Sequence, residues 1–116
     1  MWYYWAMVEI REYVGEDGNN RYKDWFNNLD CQAARKVHIA VTRLKFGNFS
    51  NVQGVGRGLY EYKIDYGPGY RIYFGKDGDQ IIILVGGGTK KRQADDIHHA
   101  TCCWKEYKQR KKQEDK

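Results

Sequence analysis

The chain has 116 residues, a formal net charge of +5 at pH 7 and a hydrophobic content of 41%. This length fits one domain over residues 1–116, and the supply of apolar residues argues against a disordered chain. The positive charge favours an anionic partner, either a nucleic acid or an acidic protein. The longest apolar run, residues 81–85, is much shorter than the roughly 20 residues of a membrane span.

Two further features indicate the compartment. Residues 1–5 are mostly aromatic and lack the basic start of a secretory signal, and charged residues follow soon after. The three cysteines, Cys31, Cys102 and Cys103, are an odd number, so we expect reduced thiols. No spacing of histidines and cysteines resembles a zinc site. The sequence therefore predicts a cytoplasmic protein without a metal or another cofactor.

The first predicted elements are one strand and two helices. Alternating apolar residues predict a strand over residues 3–13, which ends at a glycine-containing turn. Apolar residues recur at helical spacing from Asn20, and Asp30 can cap a second helix. Residues 47–58 contain four glycines and show no period, so we expect a loop there.

Three strands and a helix complete the predicted order. The strands span residues 59–66, 70–74 and 80–85, and the last is apolar from residue 81 to residue 85, so we expect it to be covered on both faces. Residues 92–112 predict a helix with one apolar stripe and a basic end, within a basic tail over 92–116. The predicted fold class is α+β in the order β-α-α-β-β-β-α.

Alternation along two of these strands predicts where their polar residues lie. Glu61 and Lys63 share one face of their strand, and Arg71 and Tyr73 share one face of the next. A three-residue turn over 67–69 would bring like faces together and set Arg71 opposite Asp65. We therefore expect an open, solvent-facing surface that carries these side chains.

A basic segment follows the last strand and extends this surface. Lys90, Lys91 and Arg92 are consecutive there. Arginine offers a planar fork of donors and lysine a compact charge, so such a cluster can hold a phosphate diester and stabilise the charge that develops during RNA cleavage. The alternative is that Arg71 only pairs with Asp65 across the strands, as many surface charges do.

A resemblance to a known family rests on a longer run of residues. It includes residues 47–49, 55–58, 60–74, 86–93 and 96–97, with the run Tyr66-Gly67-Pro68-Gly69-Tyr70-Arg71 at its centre. Over about residues 25–100 the chain resembles the HigB-like "addiction module killer protein" branch of the RelE/ParE toxins. The resemblance implies a RelE-like fold, with two helices packed on one face of a mainly antiparallel four-stranded sheet.

The same resemblance implies a function. Such toxins belong to type II toxin-antitoxin systems, and RelE-type members cut mRNA on the ribosome without a metal and so inhibit translation and growth. The ribose 2′-hydroxyl attacks the neighbouring phosphate, so the enzyme must move two protons and stabilise charge at phosphorus. The implied partners are a cognate antitoxin protein, the ribosome and mRNA, with a free monomer that forms a hetero-oligomer with the antitoxin.

Site residues are carried over by position. The family's basic residues fall on Arg71, Lys63 and Lys91, which are the predicted catalytic residues. Two departures stand out, because a second family lysine aligns with Glu61 and a C-terminal tyrosine aligns near Ile97. The accessory candidates are Lys90, Glu61, Tyr73, His98 and His99, with Glu61 or a histidine as acid or base. The candidate RNA-binding residues are Arg92, Lys105 and Lys108.

Two other functions remain open. A ParE-like toxin of the same family binds and poisons DNA gyrase and is not a nuclease, and the two departures favour it. A non-catalytic module could instead bind RNA or the ribosome, with Tyr60, Tyr73 and Trp104 stacking on bases while lysines hold phosphates. Stacking requires exposed rings, so burial of these rings would count against the module.

Overall fold

Five strands and three α-helices make up the chain in a computed structural model, which describes residues 7–114. The elements are β1 (Glu9–Glu12), α1 (Arg21–Asn27), α2 (Cys31–Lys45), β2 (Val52–Gly56), β3 (Leu59–Ile64), β4 (Tyr70–Asp77), β5 (Ile81–Thr89), a short 3-10 helix (Lys90–Arg92) and α3 (Gln93–Glu114). The start of the predicted first strand, residues 3–6, lies outside the described residues.

The first two helices begin where the sequence predicts them. The side chain of Asn20 accepts a hydrogen bond from the backbone N–H of Lys23, and that of Asp30 accepts one from Ala33 at 2.9 Å. Both caps satisfy amide groups that the first turn of a helix leaves without a partner. Four residues of α2 are buried, at helical spacing: Ala33, Val37, Ala40 and Leu44.

The predicted sheet was wrong in its number of strands and in leaving its second face without a helix. The sheet has five strands in the order β1-β5-β4-β3-β2. It is mixed, because β1 pairs with β5 in parallel while the other neighbours are antiparallel. The chain is therefore α+β with three helices, and it does not have the RelE-like four-stranded arrangement that the resemblance implied.

The additional strand, β2, lies in the segment that was predicted to be a loop. Gly54 and Gly56 hide its alternation, because glycine has no side chain to show a buried face. Arg57 and Gly58 join β2 to β3 with φ of 60° and 80°. Two successive left-handed residues are typical of the tight two-residue hairpin, which Gly56 and Leu59 close as a pair.

Helices cover both faces of the sheet. On one face α1 and α2 bury residues such as Ile72, Phe74 and Leu84. On the other face α3 covers Tyr73 and Ile83, among others, with Ala100 and Trp104. Because β5 contributes to both cores, its predicted burial on two faces is confirmed. Within the described part of the chain, no helix combines the length and apolarity that membrane crossing requires.

The β3–β4 hairpin has a longer turn than the predicted one. Ile64 pairs with Tyr70, so residues 65–69 form the turn and Arg71 lies opposite Lys63, not opposite Asp65. The predicted assignment of side chains to the two faces of the sheet is correct, because a shift of two positions returns each side chain to the same face. The predicted solvent-facing surface was wrong, however, since α3 packs over this face and leaves Glu61 and Tyr73 with an exposure of 0%.

Candidate functional site: a cationic cleft at the end of the β3–β4 hairpin

Three cationic side chains line one cleft beside the β3–β4 turn. Lys63 and Arg71 are direct partners across β3 and β4, and Lys90 follows the end of β5. The cleft has a volume of about 500 Å³. Its lining residues are Ser50, Asn51, Val52, Gln53, Lys63, Asp65, Arg71 and Lys90. We call it the cationic cleft.

Backbone hydrogen bonds fix the walls of the cationic cleft. The N–H of Lys63 donates to the carbonyl of Asn51 at 3.0 Å, and the N–H of Lys90 donates to that of Gly69 at 2.7 Å. Gly69 has a φ of +78°, and a Cβ there would lie 3.4 Å from the Cβ of Lys90 and 3.6 Å from Nη1 of Arg71. A glycine at this position therefore allows the turn, Lys90 and Arg71 to approach one another closely.

Arg71 forms the inner end of the cationic cleft. Only 7% of its surface is exposed. Its Nη1 donates to the carbonyl of Tyr70 at 3.2 Å, while its Nε lies 3.8 Å from Oε2 of Glu61 and has no hydrogen-bond acceptor among the described residues. Burial holds the guanidinium in place, and its donor capacity is only partly used.

Glu61 supports Arg71 from beneath and does not reach the solvent. Its two carboxylate oxygens accept hydrogen bonds from Nε2 of Gln53 and Nε2 of Gln93, each at 2.8 Å. Gln93 is the first residue of α3, so this carboxylate joins three elements: β2, β3 and the start of α3. Because Glu61 is fully buried, its predicted role as a base that touches the substrate was wrong.

Tyr73, the partner of Glu61 across β3 and β4, is fully buried as well. Its hydroxyl is buried and has no hydrogen-bond partner among the described residues. Burial raises the pKa of this hydroxyl, and the nearby carboxylates of Glu61 and Asp96 raise the pKa further. A fully covered ring cannot stack on a base, and Trp104, with an exposure of 5%, is also buried. These two burials count against the stacking module of the sequence analysis.

The remaining predicted site residues lie outside the cationic cleft. Lys91 and Arg92 are exposed in the 3-10 helix next to Lys90, and neither lines the cleft. His98 and His99 are exposed on α3. Thus the structure brings together Lys63, Arg71 and Lys90, and of the consecutive basic residues it is Lys90, not Lys91, that faces them.

Two further depressions contain residues from the predicted set. His99 lines a cleft of about 370 Å³ with Arg21, Asp24 and Asp96, against the glycines of β5. Burial raises the pKa of Asp96, and its Oδ2 has no hydrogen-bond partner among the described residues. Lys105 and Lys108 line a groove with Trp104, and the Lys108 ammonium lies 5.6 Å from the centre of that ring.

Several residues that line the cationic cleft were not predicted from the sequence. Ser50, Asn51 and Gln53 belong to the segment around β2, which was predicted to be a loop, and Asp65 was considered only as a strand partner. The signal that could have found β2 is the Arg57-Gly58 pair, because a glycine in second place is typical of tight hairpins. Across residues 7–114, no group of three or more His, Cys, Asp or Glu could hold a metal ion.

Comparison with known proteins identifies a relative over part of the chain. No family model matches the chain. An uncharacterized protein of Haemophilus influenzae is 36% identical over 63 residues, which are 53% of this chain and 64% of that protein. The chain thus matches less than two thirds of the length of this relative, whose name describes no activity.

Proposed function

We propose that the chain is a toxin of a type II toxin-antitoxin system, of the RelE/ParE superfamily, that binds RNA in the cationic cleft and cleaves it. The observation that carries the proposal is the convergence of Lys63, Arg71 and Lys90 on one cleft. Three cations around a small depression favour an anionic group, and a phosphate diester matches both the charge and the fork of donors on arginine.

Arg71 is the anchor of the proposed site. A guanidinium held by surrounding atoms needs little rearrangement when charge develops on a bound phosphate, so its donors stabilise the transition state efficiently. The carboxylate of Glu61, 3.8 Å from Nε of Arg71, positions the guanidinium from the buried side. This arrangement leaves the opposite side of the guanidinium for the ligand.

The lysines and Asp65 supply the rest of the proposed chemistry. The 2′-oxygen attacks phosphorus and forms a new O–P bond, while the bond to the 5′-oxygen breaks. The products are a 2′,3′-cyclic phosphate and a 5′-hydroxyl. Asp65, a carboxylate in the lining of the cleft, accepts the proton of the 2′-hydroxyl, and Lys63 or Lys90 donates a proton to the leaving oxygen. The proposed reaction requires no cofactor.

The cellular setting of the proposal comes from the family resemblance. The toxin acts in the cytoplasm on mRNA at the ribosome and inhibits translation. A cognate antitoxin neutralises it, so a free monomer alternates with a hetero-oligomer. The net charge of +5 at pH 7 is consistent with RNA as a target, since phosphate contacts dominate such binding.

Brief expression in a bacterial host tests the proposed site. We expect growth arrest with the native chain, and relief of the arrest with Lys63→Gln or Lys90→Gln, because loss of one cation from the cleft slows the chemical step about tenfold or more. Lys45→Gln is the matched control, because Lys45 is exposed and lies outside the cationic cleft. Arrest that all three variants retain would contradict the site assignment.

A further inference from the structure

A second, smaller cleft continues from the cationic cleft along α2. Its volume is about 200 Å³. Lys36, Ile39, Arg43 and Tyr66 are among its lining residues. Asn51, Lys63 and Asp65 line both clefts. The two depressions are therefore neighbours that share a wall, with Lys63 at their junction.

Helix α2 forms the far wall of the second cleft, and all its charged residues are basic. Between Cys31 and Lys45, α2 carries four cations and no Asp or Glu: Arg35, Lys36, Arg43 and Lys45. Lys36 and Arg43 are the two that face the cleft. They stand about 10 Å apart along the helix axis, from a rise of roughly 1.5 Å per residue.

Contacts at the cleft hold one of these cations over an aromatic ring. The ammonium of Lys36 lies 5.2 Å from the centre of the Tyr66 ring. The Tyr66 hydroxyl donates to Oε1 of Gln32 at 2.6 Å, which ties the ring to α2. Apolar side chains, including Ile39, which is 41% exposed, form the floor and rim. The wall thus presents fixed charge next to a surface that can accept the apolar face of a nucleotide.

We propose that the second cleft binds a continuation of the same RNA strand, with Lys36 and Arg43 on the phosphates next to the one held by Arg71 and Lys90. This inference rests on the proposed function and adds the path that the RNA strand follows across the protein surface. The two clefts together contain five cations, Lys36, Arg43, Lys63, Arg71 and Lys90, against the single carboxylate of Asp65 at the junction. Their small volumes, about 500 Å³ and 200 Å³, favour a single strand.

The extended binding surface has a consequence for substrate length. An RNA that fills only the cationic cleft touches neither Lys36 nor Arg43. A longer strand gains two phosphate contacts, so its affinity falls more steeply with salt concentration. For single strands the slope of log K against log salt is about −0.7 per neutralised phosphate, so two contacts add about −1.4.

Binding of two oligonucleotides tests the inference. The probes are a dinucleotide, whose single phosphodiester fills only the cationic cleft, and a dodecanucleotide of mixed RNA sequence. Both are fluorescently labelled and 2′-O-methylated so that the 2′-oxygen cannot attack. We expect the double variant Lys36→Gln/Arg43→Gln to bind the dodecanucleotide about tenfold more weakly and with a salt slope less steep by about 1.4, while its affinity for the dinucleotide stays within twofold. The control is Arg35→Gln/Lys45→Gln, an equal change of charge on the same helix outside both clefts.

Each outcome bears on a specific claim. Equal weakening by the two double variants would overturn the inference, because the effect would then be one of net charge alone. Dinucleotide binding that requires Lys63 and Lys90, together with a dodecanucleotide that binds no more tightly, would overturn the second cleft and leave the cationic cleft standing. If the native chain binds neither probe at low salt, both the cationic cleft and its extension are wrong. Thermal unfolding of every variant confirms that the proteins compared are folded.

Discussion

Glu61→Ala tests the buried support of the cationic cleft. The substitution removes a carboxylate with an exposure of 0% and leaves Arg71 buried without a counter-charge. It also removes the acceptor of two amide hydrogen bonds, each of 2.8 Å. Loss of one partner from a buried ion pair costs about 3 to 5 kcal/mol, because the remaining charge stays desolvated.

The loss of stability in Glu61→Ala is not the sum of the energies of the individual contacts. A hydrogen bond to a charged group contributes about 1.5 to 3 kcal/mol on its own, but Gln53, Gln93 and Arg71 share one carboxylate, so their contributions overlap. We therefore expect a total loss of about 3 to 5 kcal/mol in the free energy of unfolding. Glu61→Gln should cost less stability than Glu61→Ala, because glutamine keeps the side-chain volume and one oxygen acceptor. Some loss remains, because the new amide NH2 group faces another donor.

Urea unfolding measures this loss directly. The midpoint should fall while the slope of the free energy against urea stays unchanged, which indicates a change in stability and not in the unfolded ensemble. A compensating variant, Glu61→Met/Arg71→Met, should recover most of the stability, since apolar residues of similar size can replace a buried pair. A loss below about 1 kcal/mol in Glu61→Ala would refute the argument that this carboxylate stabilises the fold through its three partners.

Two other predictions concern the docking of α3. In Gly75→Ala, the new Cβ would lie 2.5 Å from the Trp104 ring, so we expect a loss of about 1 to 3 kcal/mol from overpacking in thermal or urea unfolding. Gly86→Ala is the control, because nothing lies within 4 Å of a Cβ there; equal effects of the two would disprove the close contact. A hydrogen bond from Lys111 holds the pKa of Asp77 below its ordinary value of 3.8. The unfolded chain therefore takes up this proton more readily, and the stabilisation is present above about pH 4 and lost as the pH falls further. The free energy of unfolding should drop less between pH 5 and pH 3 in Asp77→Asn than in the native chain, and identical profiles would exclude this contribution.

Local patterns predicted most of the elements. Asn20 and Asp30 marked the starts of α1 and α2 because caps are local, and the apolar run of β5 indicated burial on two faces. The strand β2 was not predicted, because its glycines have no side chains that could show an alternation of apolar and polar residues. The last predicted strand of the meander, residues 80–85, ended too early, because glycines 86–88 belong to β5.

Tertiary packing was much harder to predict. The apolar stripe of α3, with Ala100 and Trp104, predicted a packed helix, but not which face of the sheet it covers. That choice decides the burial of Arg71, which the alternation pattern alone made solvent-facing. A consequence is that Arg71→Ala is a poor first test of function, because it leaves Glu61 without its cation and alters stability as well. Alternation still grouped Lys63 and Arg71 on one face, and these two residues meet in the cationic cleft.

The most direct test of the central claim is a map of new RNA ends after brief expression of the chain without an antitoxin. Lys63→Gln/Lys90→Gln is compared with the native chain, since both side chains are exposed and their loss leaves the core intact. We predict cuts within translated messages that carry 5′-hydroxyl and 2′,3′-cyclic phosphate ends, and their disappearance in the double variant. Growth arrest with intact messages and DNA damage would contradict the ribonuclease and favour a gyrase poison.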